Sequence, residues 1–139
     1  MGKSYLWRVP MAACLALTAC QNWQSFAAQP CNGGVCKVSI VITDCTTSTG
    51  FMVPDTLDVT DAKNIQWDIT GPYSFTRNGI DIPTGGSVFD GKNAGAKKFI
   101  WHDKHNESSL PVKYKYTVNV VPDSGPASCI ALDPFINNK

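Results

Sequence analysis

From residue 37 onward, apolar and polar positions alternate in short runs. Lys37 to Thr43 sets Val38, Ile40 and Ile42 against Lys37, Ser39 and Thr43, the period of two that belongs to an extended strand with one buried face. Asn64 to Thr70 repeats the pattern with Ile65, Trp67 and Ile69 on one face. The longest run places Val112, Tyr114, Tyr116, Val118 and Val120 opposite Lys113, Lys115, Thr117 and Asn119. Shorter strands are predicted over Thr56–Thr60, Tyr73–Thr76 and Lys98–His102, where Phe99 and Trp101 share a face, and an edge strand over Ile130–Ile136, interrupted by Pro134. Asn78-Gly79 reads as a hairpin turn closing the strand before it. Residues 80–95 read as irregular loop with short strand pieces. Helical periodicity is absent from this region. Seven or eight short strands separated by Gly, Pro and Asn predict an all-β, antiparallel Greek-key β-sandwich.

The first thirty residues follow another logic. Met1 to Arg8 carries Lys3 and Arg8, Val9 to Ala19 is uncharged and mostly apolar, and small residues follow, the order of a secretory signal peptide. The run is too short to span a bilayer. Two processing readings stay open. Leu17-Thr18-Ala19-Cys20 resembles a bacterial lipobox, which implies lipid attachment at Cys20 and a short tether to Pro30. Cleavage near Ala27 or Ala28 instead releases a soluble protein. The chain therefore divides into a leader over 1–28 and one β-sandwich domain over 29–139, destined for the periplasm or for an outer-membrane anchor in a bacterium.

Composition supports one ordinary domain: 139 residues, 43% hydrophobic and 17% charged. Without Lys3 and Arg8, ten basic residues face eleven acidic ones. That balance gives no nucleic-acid signature, and membrane contact is expected only through Cys20.

Of six cysteines, Cys14 leaves with the leader and Cys20 is removed or lipidated, so Cys31, Cys36, Cys45 and Cys129 remain. An even number in an exported chain favours disulfides. Cys36 and Cys45 bracket one strand and lie about 30 Å apart if it is straight. A disulfide needs Cα atoms within roughly 7 Å. Cys31, at most about 18 Å of chain from Cys36, also falls short of Cys45. The surviving pattern is Cys31–Cys36 across Asn32-Gly33-Gly34, with Cys45–Cys129 tying the first strand to the last.

Val53-Pro54-Asp55-Thr56-Leu57-Asp58-Val59, Asn64-Ile65-Gln66-Trp67 and Tyr114-Lys115-Tyr116-Thr117-Val118 together resemble the cupredoxins, over roughly residues 36–122. The resemblance implies a cupredoxin-like sandwich; an immunoglobulin-like one is the alternative. It does not carry the copper site. The positions where the family places its ligand cysteine and histidine hold Val118 and Val121, and a blue-copper centre needs both. No cofactor is expected.

The one chemically suggestive cluster is His102-Asp103-Lys104-His105-Asn106-Glu107, which holds both histidines of the chain. In a turn, His102 and His105 could share a copper, nickel or zinc ion with Asp103 or Glu107; the plainer reading is a polar loop between strands. Asn106-Glu107-Ser108 matches a glycosylation sequon that has no meaning in a bacterial host. Trp67, Tyr73, Phe75, Phe99, Trp101, Tyr114 and Tyr116 suit a glycan or peptide platform if exposed, but they alternate with polar residues as core residues do. No catalytic constellation stands in the sequence, and a small hydrolase would have to assemble its site in space. The expected role is a non-catalytic binding or structural module of the cell envelope, with an envelope protein or a glycan as partner.

Overall fold

The structure, a computed structural model, describes residues 31–125 and 128–139. The leader and the lipid-attachment reading at Cys20 lie outside the described residues. Ten strands form among the described residues: β1 (Val35–Ile42), β2 (Phe51–Met52), β3 (Thr56–Val59), β4 (Lys63–Thr70), β5 (Tyr73–Asp81), β6 (Phe89–Ala94), β7 (Lys98–Asp103), β8 (Val112–Lys115), β9 (Thr117–Pro122) and β10 (Phe135–Asn138). One 3-10 turn at Ser48–Gly50 precedes β2. Among the described residues no helix is long and apolar enough to cross a membrane.

The protein is all-β. One sheet has the order β2-β1-β4-β7-β6, a second β3-β10-β8, and β5 pairs with β9. Two pairings are parallel, β1 with β4 and β10 with β3, so the sheets are mixed where the strand pattern predicts antiparallel ones. The reason lies in the connections. Between β1 and β4 the chain runs through β2 and β3, a crossover long enough to return to the same end of the sheet, as parallel pairing requires. The expected face of each strand is buried: Val38, Ile40 and Ile42 of β1 and Ile65, Trp67 and Ile69 of β4.

The arrangement is that of a β-sandwich, and the core forms where these side chains meet those of β3, β5, β8, β9 and β10. Trp67 packs on Tyr116 with ring centroids 5.4 Å apart, Phe75 on Phe99 at 5.5 Å, and Phe89 on Tyr114 at 5.1 Å. Each pair joins a strand of the five-stranded sheet to a strand or strand junction outside it. Tilted and edge-to-face contacts at these separations add to the burial that dominates the stability of such a core.

Four local expectations change. Within the stretch read as irregular loop, Phe89–Ala94 forms β6, and the edge strand expected over Ile130–Ile136 is instead β10, central between β3 and β8. Asn78-Gly79 does not close a hairpin. Neither residue has the positive φ that the tight hairpin turn requires, and β5 continues through them to Asp81 with a bulge between Phe75 and Ile80. Gly79 is needed here for space, because a Cβ would stand 2.5 Å from the Cβ of Phe75. The predicted strand over 112–120 divides at Tyr116, with β8 pairing β10 and β9 pairing β5. Alternation survives the division: Tyr114, Tyr116, Val118 and Val120 are all buried.

Two disulfides close the described chain. Cys31 is joined to Cys36 with Cα atoms 4.1 Å apart, around Gly33 and Gly34, whose φ values of 59° and 87° suit glycine. Cys45 is joined to Cys129 at 4.7 Å.

Candidate functional site

The segment holding both histidines begins at the end of β7. Strand alternation separates the first two members of the cluster: His102 takes the outer face, where its Nδ1 lies 3.0 Å from Asn64 Oδ1, and Asp103 takes the core face with 0% of its surface exposed. The chain then turns. His105 has a φ of 50°, and its backbone N–H donates to Asp103 Oδ1 at 2.9 Å. Its imidazole Nε2 is 3.4 Å from the Val59 carbonyl. Among the described residues no group of three or more His, Cys, Asp or Glu side chains converges as metal ligands. The set His102, His105, Asp103 and Glu107 is thus dispersed, with the two imidazoles directed to different partners.

What assembles instead is a buried polar cluster built from three elements. Asn138 of β10, itself 0% exposed, uses one amide nitrogen to donate to two carboxylates, Asp103 Oδ1 at 3.2 Å and Glu107 Oε1 at 2.6 Å. Tyr114 of β8 completes the surroundings of Glu107. The second oxygens, Asp103 Oδ2, Glu107 Oε2 and Asn138 Oδ1, are buried without a hydrogen-bond partner. Native interiors contain few such groups, because each forfeits hydration worth about 1–3 kcal/mol.

The electrostatics of the two carboxyls diverge. Burial pushes Asp103 above the ordinary carboxylate range, and the nearby Glu107 charge adds to this, against the His105 and Asn138 hydrogen bonds. Burial also acts to raise Glu107, but its backbone hydrogen bond, the Asn138 amide, the Tyr114 hydroxyl and His105 together hold it below the ordinary value. Burial and the Glu107 carboxylate push the Tyr114 phenol up to about 12. The second core phenol, Tyr116, is likewise raised to about 12, chiefly by burial.

A second feature lies on the outer face of the small sheet. Phe135 of β10 is 38% exposed. Around it a cavity of about 410 Å³ opens to solvent, lined by Val53 and Asp55 before β3, Thr56 of β3, Leu132, Asp133 and Pro134 before β10, and Lys113 of β8. Lys113 Nζ stands 5.4 Å from the centre of the Phe135 ring, and Lys115 pairs with Asp133 at 2.7 Å. The apolar floor and balanced charges on the rim offer contact area together with donors and acceptors.

Sequence reasoning placed the aromatic residues of the pattern inside, and Trp67, Phe75, Phe99, Tyr114 and Tyr116 are buried. Trp101 is partly covered, with its indole N–H donating to the Ile80 carbonyl at 3.0 Å. Sequence reasoning missed Phe135, Lys113 and Asn138 as site residues. A signal for Phe135 existed: it precedes Ile136 in the strand and therefore faces the opposite way from that buried side chain. Asn138 carried none. No protein-family model matches the chain, and comparison with curated proteins finds no match.

Proposed function

We propose that this chain is an exported, non-catalytic binding module of the bacterial cell envelope, and that it meets its partner, an envelope protein or glycan, on the outer face of β3, β10 and β8. The observation that carries the reading is the exposed Phe135 in an open cavity of about 410 Å³ whose rim is polar and charge-balanced. That volume is in the range of small recognition sites, and an aromatic anchor beside donors and acceptors suits an uncharged polar ligand surface. Export is supported by the leader pattern of residues 1–28 and by the two disulfides, which persist in oxidising compartments.

The test is photo-cross-linking in the native envelope through a reactive group placed at Lys113, with Phe135→Asp as the disrupting variant and Val121→Asp, another exposed apolar position, as control. Labelling of a discrete envelope component that is lost in the Phe135 variant and kept in the control supports the reading. Equal labelling in all three, or none, contradicts it.

A further inference from the structure

The cluster of Asp103, Glu107 and Asn138 has no part in the proposed recognition face, yet it gathers three of the five buried side-chain atoms that lack a hydrogen-bond partner among the described residues. Asp103 is the one fully buried acid. Three orphaned oxygens meet around one amide. With both carboxyls ionised, two negative charges would share one neutral donor group in a water-poor site, and like charges at such range disfavour double ionisation. A single proton on Asp103 removes the repulsion and turns one acceptor into a donor.

The groups that face the pair come from every neighbouring element. The loop supplies His105 and β8 supplies Tyr114. From β10 comes neutral Asn138. Lys63 of β4 is the register partner of Asp103, but its ammonium pairs with Asp61 at 3.0 Å. β6 offers the buried, apolar Phe89, and Lys104 turns outward to Asp90 at 3.5 Å. Among the described residues no lysine or arginine is therefore paired with Asp103, and His105 is the one cationic group whose charge acts on it.

We infer that a proton held on Asp103, with Asn138 bridging Asp103 and Glu107, closes a clasp that fixes the segment 104–111 onto β8 and β10, and that loss of that proton to solvent as pH rises releases the segment. Asp103 sits on β7 and Glu107 on the segment itself, while Asn138 bridges them from β10, so the clasp spans the elements that must separate. The raised Asp103 ionisation described above agrees in sign: a proton bound more tightly in the folded state stabilises it at low pH and stops doing so above the folded pKa.

The experiment uses the full disulfide-bonded domain. The Asp103 side-chain carboxyl carbon is titrated by NMR while amide exchange of residues 104–110 is followed, corrected for the intrinsic pH dependence of exchange. Expected are a titration midpoint above that of a free aspartate and a loss of protection in 104–110 of about tenfold per pH unit between the free-aspartate value and that midpoint, levelling off above it. Asp103→Asn keeps the shape without the charge, and its loop protection should stay flat. His105→Asn, tolerated at positive φ, should leave the transition in place. An Asp103 midpoint at or below the free value, a transition unchanged in Asp103→Asn, or one abolished by His105→Asn would each overturn the inference.

Discussion

The two ends of the five-stranded sheet are closed differently, by a long-range disulfide at one and by a polar clasp beside the short Cys31–Cys36 disulfide at the other. β1 and β4 run parallel, so the start of β4, where Lys63 meets Asp103, lies about 25 Å along the strands from the end where β1 leads to Cys45. At the Cys45 end a covalent bond to Cys129 joins residues 84 apart, and the Ile130 amide donates to the Cys45 carbonyl beside it. At the other end, Asn138 holds Asp103 and Glu107 through one amide. The first closure constrains the unfolded chain and is indifferent to pH. The second acts only in the folded state, depends on every partner being present, and responds to protonation. A domain of this size can fix its loops either way, but only the second can be loosened without reduction.

Removing each closure should separate them by size. Cys45→Ser with Cys129→Ser reopens the long loop and should cost about 4 kcal/mol on chain-entropy grounds, read as a lower midpoint in chemical denaturation. Asn138→Ala leaves the buried Asp103 and the half-buried Glu107 without their shared donor and should cost about 3 kcal/mol, with the loss concentrated in exchange protection of residues 104–111. Opening Cys31–Cys36 by Cys→Ser at both positions, with a far shorter loop, should cost about 2 kcal/mol. Phe135→Ala, on the exposed face, should change stability by less than about 1 kcal/mol while abolishing partner binding.

The pH profile sharpens the same contrast. Asp58 and Asp133 are held below their ordinary values by hydrogen bonds to Lys139 and Lys115, so what they contribute is present above the unfolded carboxylate range and lost as pH falls. Asp103, raised by burial, contributes in the opposite sense and loses its contribution as pH rises. Denaturation midpoints of the wild type should therefore decline on both sides of a maximum, and Asp103→Asn should flatten the alkaline side alone. The acidic side, resting on solvent-exposed pairs, should shrink further in high salt.

What the sequence made legible follows from what is local. The faces of β1, β4 and β9 follow from alternation, and the cysteine pairs follow from the reach of one extended strand. The parallel pairings were hidden, because period-two alternation says which face is buried and nothing about which neighbour a strand takes. Asn78-Gly79 misled for a physical reason: the glycine serves the ring of Phe75, not a positive φ. The clasp was half visible. Asp103 and Glu107 stood in the cluster that drew notice, but the cluster suggested histidine chemistry, and β-strand alternation turned His102 outward. Asn138, near the end of the chain and 35 residues from Asp103, could be connected to them only in space.

The most direct test of the account as a whole is the intact mass of the protein recovered from its own host, measured before and after reduction. The expected result is a chain shortened by its leader, beginning either at a lipidated Cys20 or near Ala28, that gains about 4 Da when two disulfides take up two hydrogens each. A full-length chain, or one that gains less on reduction, would contradict it.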